Sequence, residues 1–199
     1  MRRPVYLALG IVALVVIGYL VFWWWPGSRG NNREAPGSEA GRVAWQTVTA
    51  DGFKVEMPTG TDQIEVPAFS ASGAQEPVNM IEASLDPATT YAVTWADNPP
   101  VERASGESAD KTLDTARDGA LARSQTALIT ESRATRLGFP ARDFAGRNEN
   151  GGILNARLIL AGTRLYMLIA AFPSTSARHD DDVRHFFDSF QLTSGTAAP

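Results

Sequence analysis

The spacing of hydrophobic and polar residues divides the chain into three stretches. From Val5 to Trp25 the sequence reads VYLALGIVALVVIGYLVFWWW, 21 residues without a charge. Residues 26–42 then bring glycine, proline, serine and charge, as in PGSRGNNREAPGSEAG, with no apolar period. From residue 43 the apolar positions return, mostly with a period of two.

The first stretch predicts a transmembrane helix over 5–25, preceded by a short segment, 1–4. At about 1.5 Å per residue such a helix spans the roughly 30 Å hydrocarbon core. Backbone groups in lipid must pair internally, which leaves helix as the conformation. The run exceeds the apolar segment of a signal peptide, about 7–15 residues, and no small-x-small site follows it closely, so the anchor is read as uncleaved. Trp23, Trp24 and Trp25 stand at its far end, where an apolar ring with a polar N–H settles at headgroup level. Pro26 stops the helix. Arg2 and Arg3 beside the α-amino group favour the N-terminus inside and the rest outside. Residues 26–42 cannot bury enough surface to order themselves and read as a flexible linker, with a reach of roughly 20–25 Å. Residues 193–199 read as a loose tail.

The folded unit is expected over 43–192. WQTVTADGFKVEMP predicts two strands joined at Asp51-Gly52 and ending at Pro58. Residues 59–76 show no period and read as a long loop with a short strand near Ile64–Val66. VNMIEASLD (78–86) and TYAVTWAD (90–97) form a hairpin, with Tyr91, Val93 and Trp95 on one face. ADKTLDTARDGALARSQTAL changes period: Leu113, Ala116, Ala120 and Leu121 fall on one helical face, Ser108 or Asp110 caps its start, and Asp114 pairs with Arg117. LITESRATRL and ARDFAGRN are strands across Gly138-Phe139-Pro140, and Asn150-Gly151 signals a type I′ hairpin. ILNARLIL (153–160) and RLYMLIAAF (164–172) follow. The second is apolar on both faces, which places it centrally in a sheet covered on both sides. In DDDVRHFFDSFQL, Val183, Phe186, Phe187 and Phe190 are spaced i, i+3, i+4, i+7, a helix laying an aromatic stripe on the sheet, with acids at its positive end. The fold class is α+β: a twisted antiparallel sheet with two main helices packed on it.

Charge changes the picture of partners. Residues 1–33 hold four arginines and no acid, leaving 14 basic residues against 22 acidic ones in the remainder. An acidic domain lacks the clustered positive charge that nucleic acid requires, so no nucleic-acid partner is expected. The chain has no cysteine, which excludes disulfides, thiol catalysis and cysteine-ligated metal.

Few residues offer chemistry. His179, Asp181, Asp182 and His185 fall at helical spacing, but they supply neither a third fixed ligand nor an enclosed site, so they read as a solvated helix start and no metal is expected. No G-x-S-x-G elbow accompanies the serines, and FSASG (69–73) reads as loop. Asp114 and Asp118 read as surface carboxylates. Gly151-Gly152 belongs to a hairpin, since no phosphate-loop lysine follows. Trp45, Tyr91 and Trp95 are the candidate ligand-binding residues: on an uncovered sheet face they would line an apolar cleft, and under a helix they would be core.

GFKVEMP, LDTARDGAL, GFPAR, RLILAGTRLYML and FFDSFQL together resemble the PsbP-like fold over most of 43–192, and in particular its membrane-anchored, LpqN-like envelope proteins. These are packing and turn motifs. The resemblance implies a binding or scaffolding module with no enzyme activity and no cofactor. The expectation is therefore a single-pass protein of the inner (plasma) membrane, held in the bilayer by its N-terminal helix. Its domain is extracytoplasmic and serves as an adaptor for another envelope protein. The alternative is a lipid- or glycan-binding domain using the aromatic cleft.

Overall fold

The computed structural model describes residues 43–69, 75–86, 88–97, 107–173 and 177–193. The expected anchor at 5–25 with Trp23, Trp24 and Trp25, the segment 1–4, the linker 26–42 and residues 194–199 of the tail lie outside the described residues. Among the described residues no helix is long and apolar enough to cross a membrane.

The strands are β1 (Trp45–Ala50), β2 (Phe53–Pro58), β3 (Thr61–Phe69), β4 (Gln75–Asp86), β5 (Thr89–Asp97), β6 (Ala127–Arg136), β7 (Phe139–Arg147), β8 (Ile153–Ala161), β9 (Arg164–Phe172) and β10 (Gln191–Leu192). The helices are α1 (Glu107–Arg123) and α2 (Ala177–Ser189). Seven strands form one sheet in the order β3-β4-β5-β9-β8-β7-β6, and β1-β2-β10 form a second. Every pairing is antiparallel. The α+β class holds, with a second small sheet that the sequence pattern does not announce.

β9 is the middle strand of seven, and both of its faces are buried, as its unbroken apolar run requires. Leu165, Met167 and Ile169 face one core, against Leu113, Ala116, Ala120 and Leu121 of α1. Tyr166, Leu168, Ala170 and Phe172 face the other, against β2 and the Val183, Phe186, Phe187 and Phe190 stripe of α2. The molecule is thus three layers: α1, the large sheet, and α2 with the small sheet.

Three local expectations are corrected. Residues 61–69 are one continuous strand, where a loop with only a short strand near Ile64–Val66 was expected. Pro67 and the charged residues hide its period, and β3 is an edge strand, where a proline is tolerated. Helix α1 starts at Glu107, so Ser108 and Asp110 lie inside it and neither caps it. It also stops at Arg123, short of the expected end. Gln125 takes a left-handed φ of 52°, its N–H bonds Ala122 O at 3.3 Å, and Thr126 N–H reaches Leu121 O at 3.0 Å. That is a Schellman ending with glutamine in the usual glycine position. In the β7–β8 hairpin Gly151 alone has a positive φ, 85°, so the turn is not type I′. Its loop is Asn148–Gly152, held by Asn148 Oδ1 accepting the N–H groups of Asn150 and Gly152.

The small sheet is fastened to the large one by Arg164, which donates to both carboxylate oxygens of Asp97 at 2.7 and 2.8 Å and to Asp51 Oδ2 at 2.9 Å. Thr193, expected in the loose tail, donates its N–H to Gly52 O at 2.9 Å and closes the same corner.

Candidate functional site

An open groove of about 620 Å³ runs between the outer face of β2 and the solvent side of α2. It exists because β2 alternates: Phe53, Val55 and Met57 point into the core, leaving Lys54 and Glu56 outside. Helix α2 buries its aromatic stripe and leaves Asp181, Arg184, His185 and Asp188 on the groove side.

Within the groove His185 Nε2 stands 2.6 Å from Glu56 Oε2. The His185 ring lies 4.6 Å from that of Trp45, tilted by 55°. Trp45 meets Tyr91 edge-on at 5.7 Å, and Tyr91 meets Phe186 edge-on at 5.4 Å. A run of rings therefore ties the groove to the core. Ser189 Oγ accepts the Glu56 N–H at 2.9 Å and donates to Phe186 O at 2.8 Å. Its proton goes to a backbone carbonyl. A nucleophilic serine needs that proton on a neighbouring base, so Ser189 is built as a clip between β2 and α2. Asp181 is engaged by Arg184 at 2.9 Å. Among the described residues no group of three or more potential metal ligands converges. The side chain of His179 lies outside the described residues.

Beneath the groove Arg157 is almost fully buried on β8. It donates to Asp143 at 2.9 and 3.1 Å, to Asp188 Oδ1 at 3.1 Å and to Phe187 O at 3.0 Å, and its guanidinium lies 5.0 Å from the centre of the Phe187 ring. Burial works against this cation, but the hydrogen bonds and charges of Asp143 and Asp188 outweigh it and raise its pKa. On the opposite face Arg142 of β7 is fully buried and stands 2.7 Å from Asp114, 3.1 Å from Asp110 and 3.1 Å from Glu131. Arg117 joins the same cluster through Asp114, Asp118 and Glu131. Each helix is thus attached to the sheet by one inward arginine. Asp114, read from sequence as a surface carboxylate, is a partner of a buried cation.

The three candidate ligand-binding residues occupy one cluster. Tyr91 is 0% and Trp95 3% exposed, both packed between the large sheet and the layer of α2 and the small sheet, and Trp45 is partly buried against them. Trp95 sits 5.0 Å from Phe53, edge-on. The groove is lined instead mainly by residues from β2 and α2, with Thr47 of β1 and Gln191 of β10. The sequence missed it because its two walls lie far apart in the chain, and Glu56 and His185 carry no joint signal until the fold brings them together.

No protein-family model matches the chain, and no curated protein matches it. Among solved structures it is similar to the solution structure of cyanobacterial PsbP (CyanoP) from Synechocystis sp. PCC 6803. The TM-score is 0.51 at 16% identity, over 80% of this chain and 98% of that one. The fold is PsbP-like. At that identity the likeness extends to the architecture of the domain and not to its residues. The PsbP-like domain here carries its groove between β2 and α2, and the side chains that line it are this chain's own.

Proposed function

We propose that the chain is a single-pass protein of the inner (plasma) membrane whose extracytoplasmic PsbP-like domain is a non-catalytic adaptor for another envelope protein. One observation carries the reading: the groove's polar groups are engaged in holding α2 to the two sheets. His185 is on Glu56, Ser189 bridges Glu56 and Phe186, and Asp188 is on Arg157. What remains is an open, mixed-charge surface with exposed Lys54 and Arg184, and polar, solvent-accessible groups of that kind form the rim of protein–protein interfaces. The 21-residue uncharged run at 5–25 supports the anchor.

The lipid- or glycan-binding reading needs Trp45, Tyr91 and Trp95 at an open apolar cleft. Tyr91 and Trp95 are instead closed over by Phe186 and Phe53, which buries the face such a cleft would need.

The test is capture of the full-length protein after crosslinking in cells, beside a version lacking residues 43–192. A stoichiometric protein partner lost with the deletion is expected. Enrichment of a lipid or glycan with no protein would overturn the adaptor. Protease added to intact spheroplasts should remove the domain, and full protection would overturn the orientation.

A further inference from the structure

The large sheet has two edges, β3 and β6. They are not alike. β3 carries Pro67, which blunts an edge by removing a donor. β6, ALITESRATR, has no proline over its 10 residues and is exposed along most of its length. Its outer backbone groups are an open template for another strand. Among the described residues four large apolar side chains stand well out of the surface, and three of them mark this edge: Leu128 at 44%, Ile129 at 49% and Leu137 at 49% exposed. Leu128 and Ile129 sit at the bulge near one end of β6, and Leu137 occupies the turn at the other end with a φ of 53°.

We propose that β6 pairs antiparallel with β6 of a second copy of this chain, about a two-fold axis at Ser132, joining the two seven-stranded sheets edge to edge. Such an interface is isologous, so its residues must complement themselves. Charge selects the register. Centred on Ser132, Glu131 of each copy, held by Arg117 and Arg142 of its own chain, lies opposite Arg133 of the other, itself on Asp110, so the pairing extends that charge network across the axis, and Thr130 lies opposite Ala134. Glu131 and Arg133 point to the same face of the sheet, since their partners on β7 are Phe144 and Arg142, two residues apart. A shift of one residue either way sets Glu131 against Glu131 or Arg133 against Arg133, and like charges directly opposite are unfavourable. The same register brings the apolar ends together. The bulge of one copy, with Leu128 and Ile129, meets the turn of the other, with Leu137, once at each end. Three exposed apolar side chains per copy are thereby covered and the free edge is removed. The pairing does not depend on the adaptor reading, because β6 and the groove belong to different parts of the fold.

The chain has no cysteine, so one introduced thiol reports without ambiguity. Full-length Ser132→Cys, in its membrane and under mild oxidation, is expected to give a disulfide-linked dimer. The two side chains face each other across the axis at the cross-strand spacing of roughly 4.5–5.5 Å between Cβ atoms. Gln63→Cys on the other edge is the collision control and should crosslink at least about tenfold less. The register is read with Thr130→Cys and Ala134→Cys, which should link to each other when coexpressed, faster than either links to itself. Ser132 and Thr130 are exposed on the edge, and Ala134, partly buried beside the core, gains only one sulfur atom, so these three substitutions should leave the fold intact. A monomeric Ser132→Cys, a yield no greater than that of Gln63→Cys, or self-linking of Thr130→Cys as fast as the mixed pair would each overturn the proposal.

Discussion

Arg142, fully buried on β7, places its Nη2 2.7 Å from Asp114 Oδ1 on α1, and this contact fastens the helix to the sheet. Asp110 and Glu131 complete the shell at 3.1 Å each. Arg142→Ala is expected to cost about 3 kcal/mol, the lower end for breaking a buried pair, because Asp114 and Asp110 are 33% and 47% exposed and regain water once the cation is gone. Arg142→Met, which refills the volume without a charge, should cost clearly less. Equilibrium urea unfolding of both variants checks the pair, and equal losses would show that the lost charge rather than the lost packing dominates.

Two carboxylates should shape the pH dependence in opposite senses. Glu82 on β4 has its pKa raised above 4.5 by burial and then by Asp62, its cross-strand neighbour on β3. The folded state holds that proton more tightly than the unfolded chain, so stability falls as pH rises from about 4.5 through the folded value. Glu82→Gln should remove this fall and raise stability at neutral pH. Asp97 has its pKa lowered below 3.8, chiefly by the hydrogen bond from Arg164, which outweighs its burial. Its contribution is present above that value and is lost as pH falls through the folded pKa, so Asp97→Asn should flatten the acid-side loss. Urea midpoints across about pH 2 to 8 separate the two effects. A Glu82→Gln curve parallel to that of the parent would contradict the first.

Gly146 on β7 faces the end of α1. A Cβ there would stand 2.7 Å from Leu121 Cδ2, 2.7 Å from Thr126 Oγ1 and 3.0 Å from Thr126 Cβ. Gly146→Ala should therefore destabilise by about 1–3 kcal/mol through overpacking. Adding Leu121→Ala makes room, so the double variant should cost less than the sum of the single ones. Additive losses would mean that the helix end shifts freely.

Much of the fold is legible because burial imposes a period. RLYMLIAAF, apolar on both faces, sits at the centre of the sheet, and the Val183, Phe186, Phe187, Phe190 spacing marks the buried stripe of α2. What escapes is what depends on distant partners. β3 is paired along its length with β4, yet an edge strand needs only one covered side and can carry proline and charge. Arg142 and Arg157 alternate like ordinary outward residues and lie inward because acids on α1, β7 and α2 receive them. Tyr91 and Trp95 share one face of β5, as their alternation requires, and alternation alone does not say that α2 and the small sheet close over that face.

The adaptor role is tested most directly at the groove itself. A photo-crosslinking amino acid at Lys54 or at Arg184, on opposite walls, is exposed to light in cells expressing the full-length protein. One protein adduct of the same mass is expected from both positions, absent from a position on the far side of the sheet such as Lys111 on α1. No protein adduct at either wall, or an adduct equally strong at Lys111, would contradict an adaptor that docks its partner over β2 and α2.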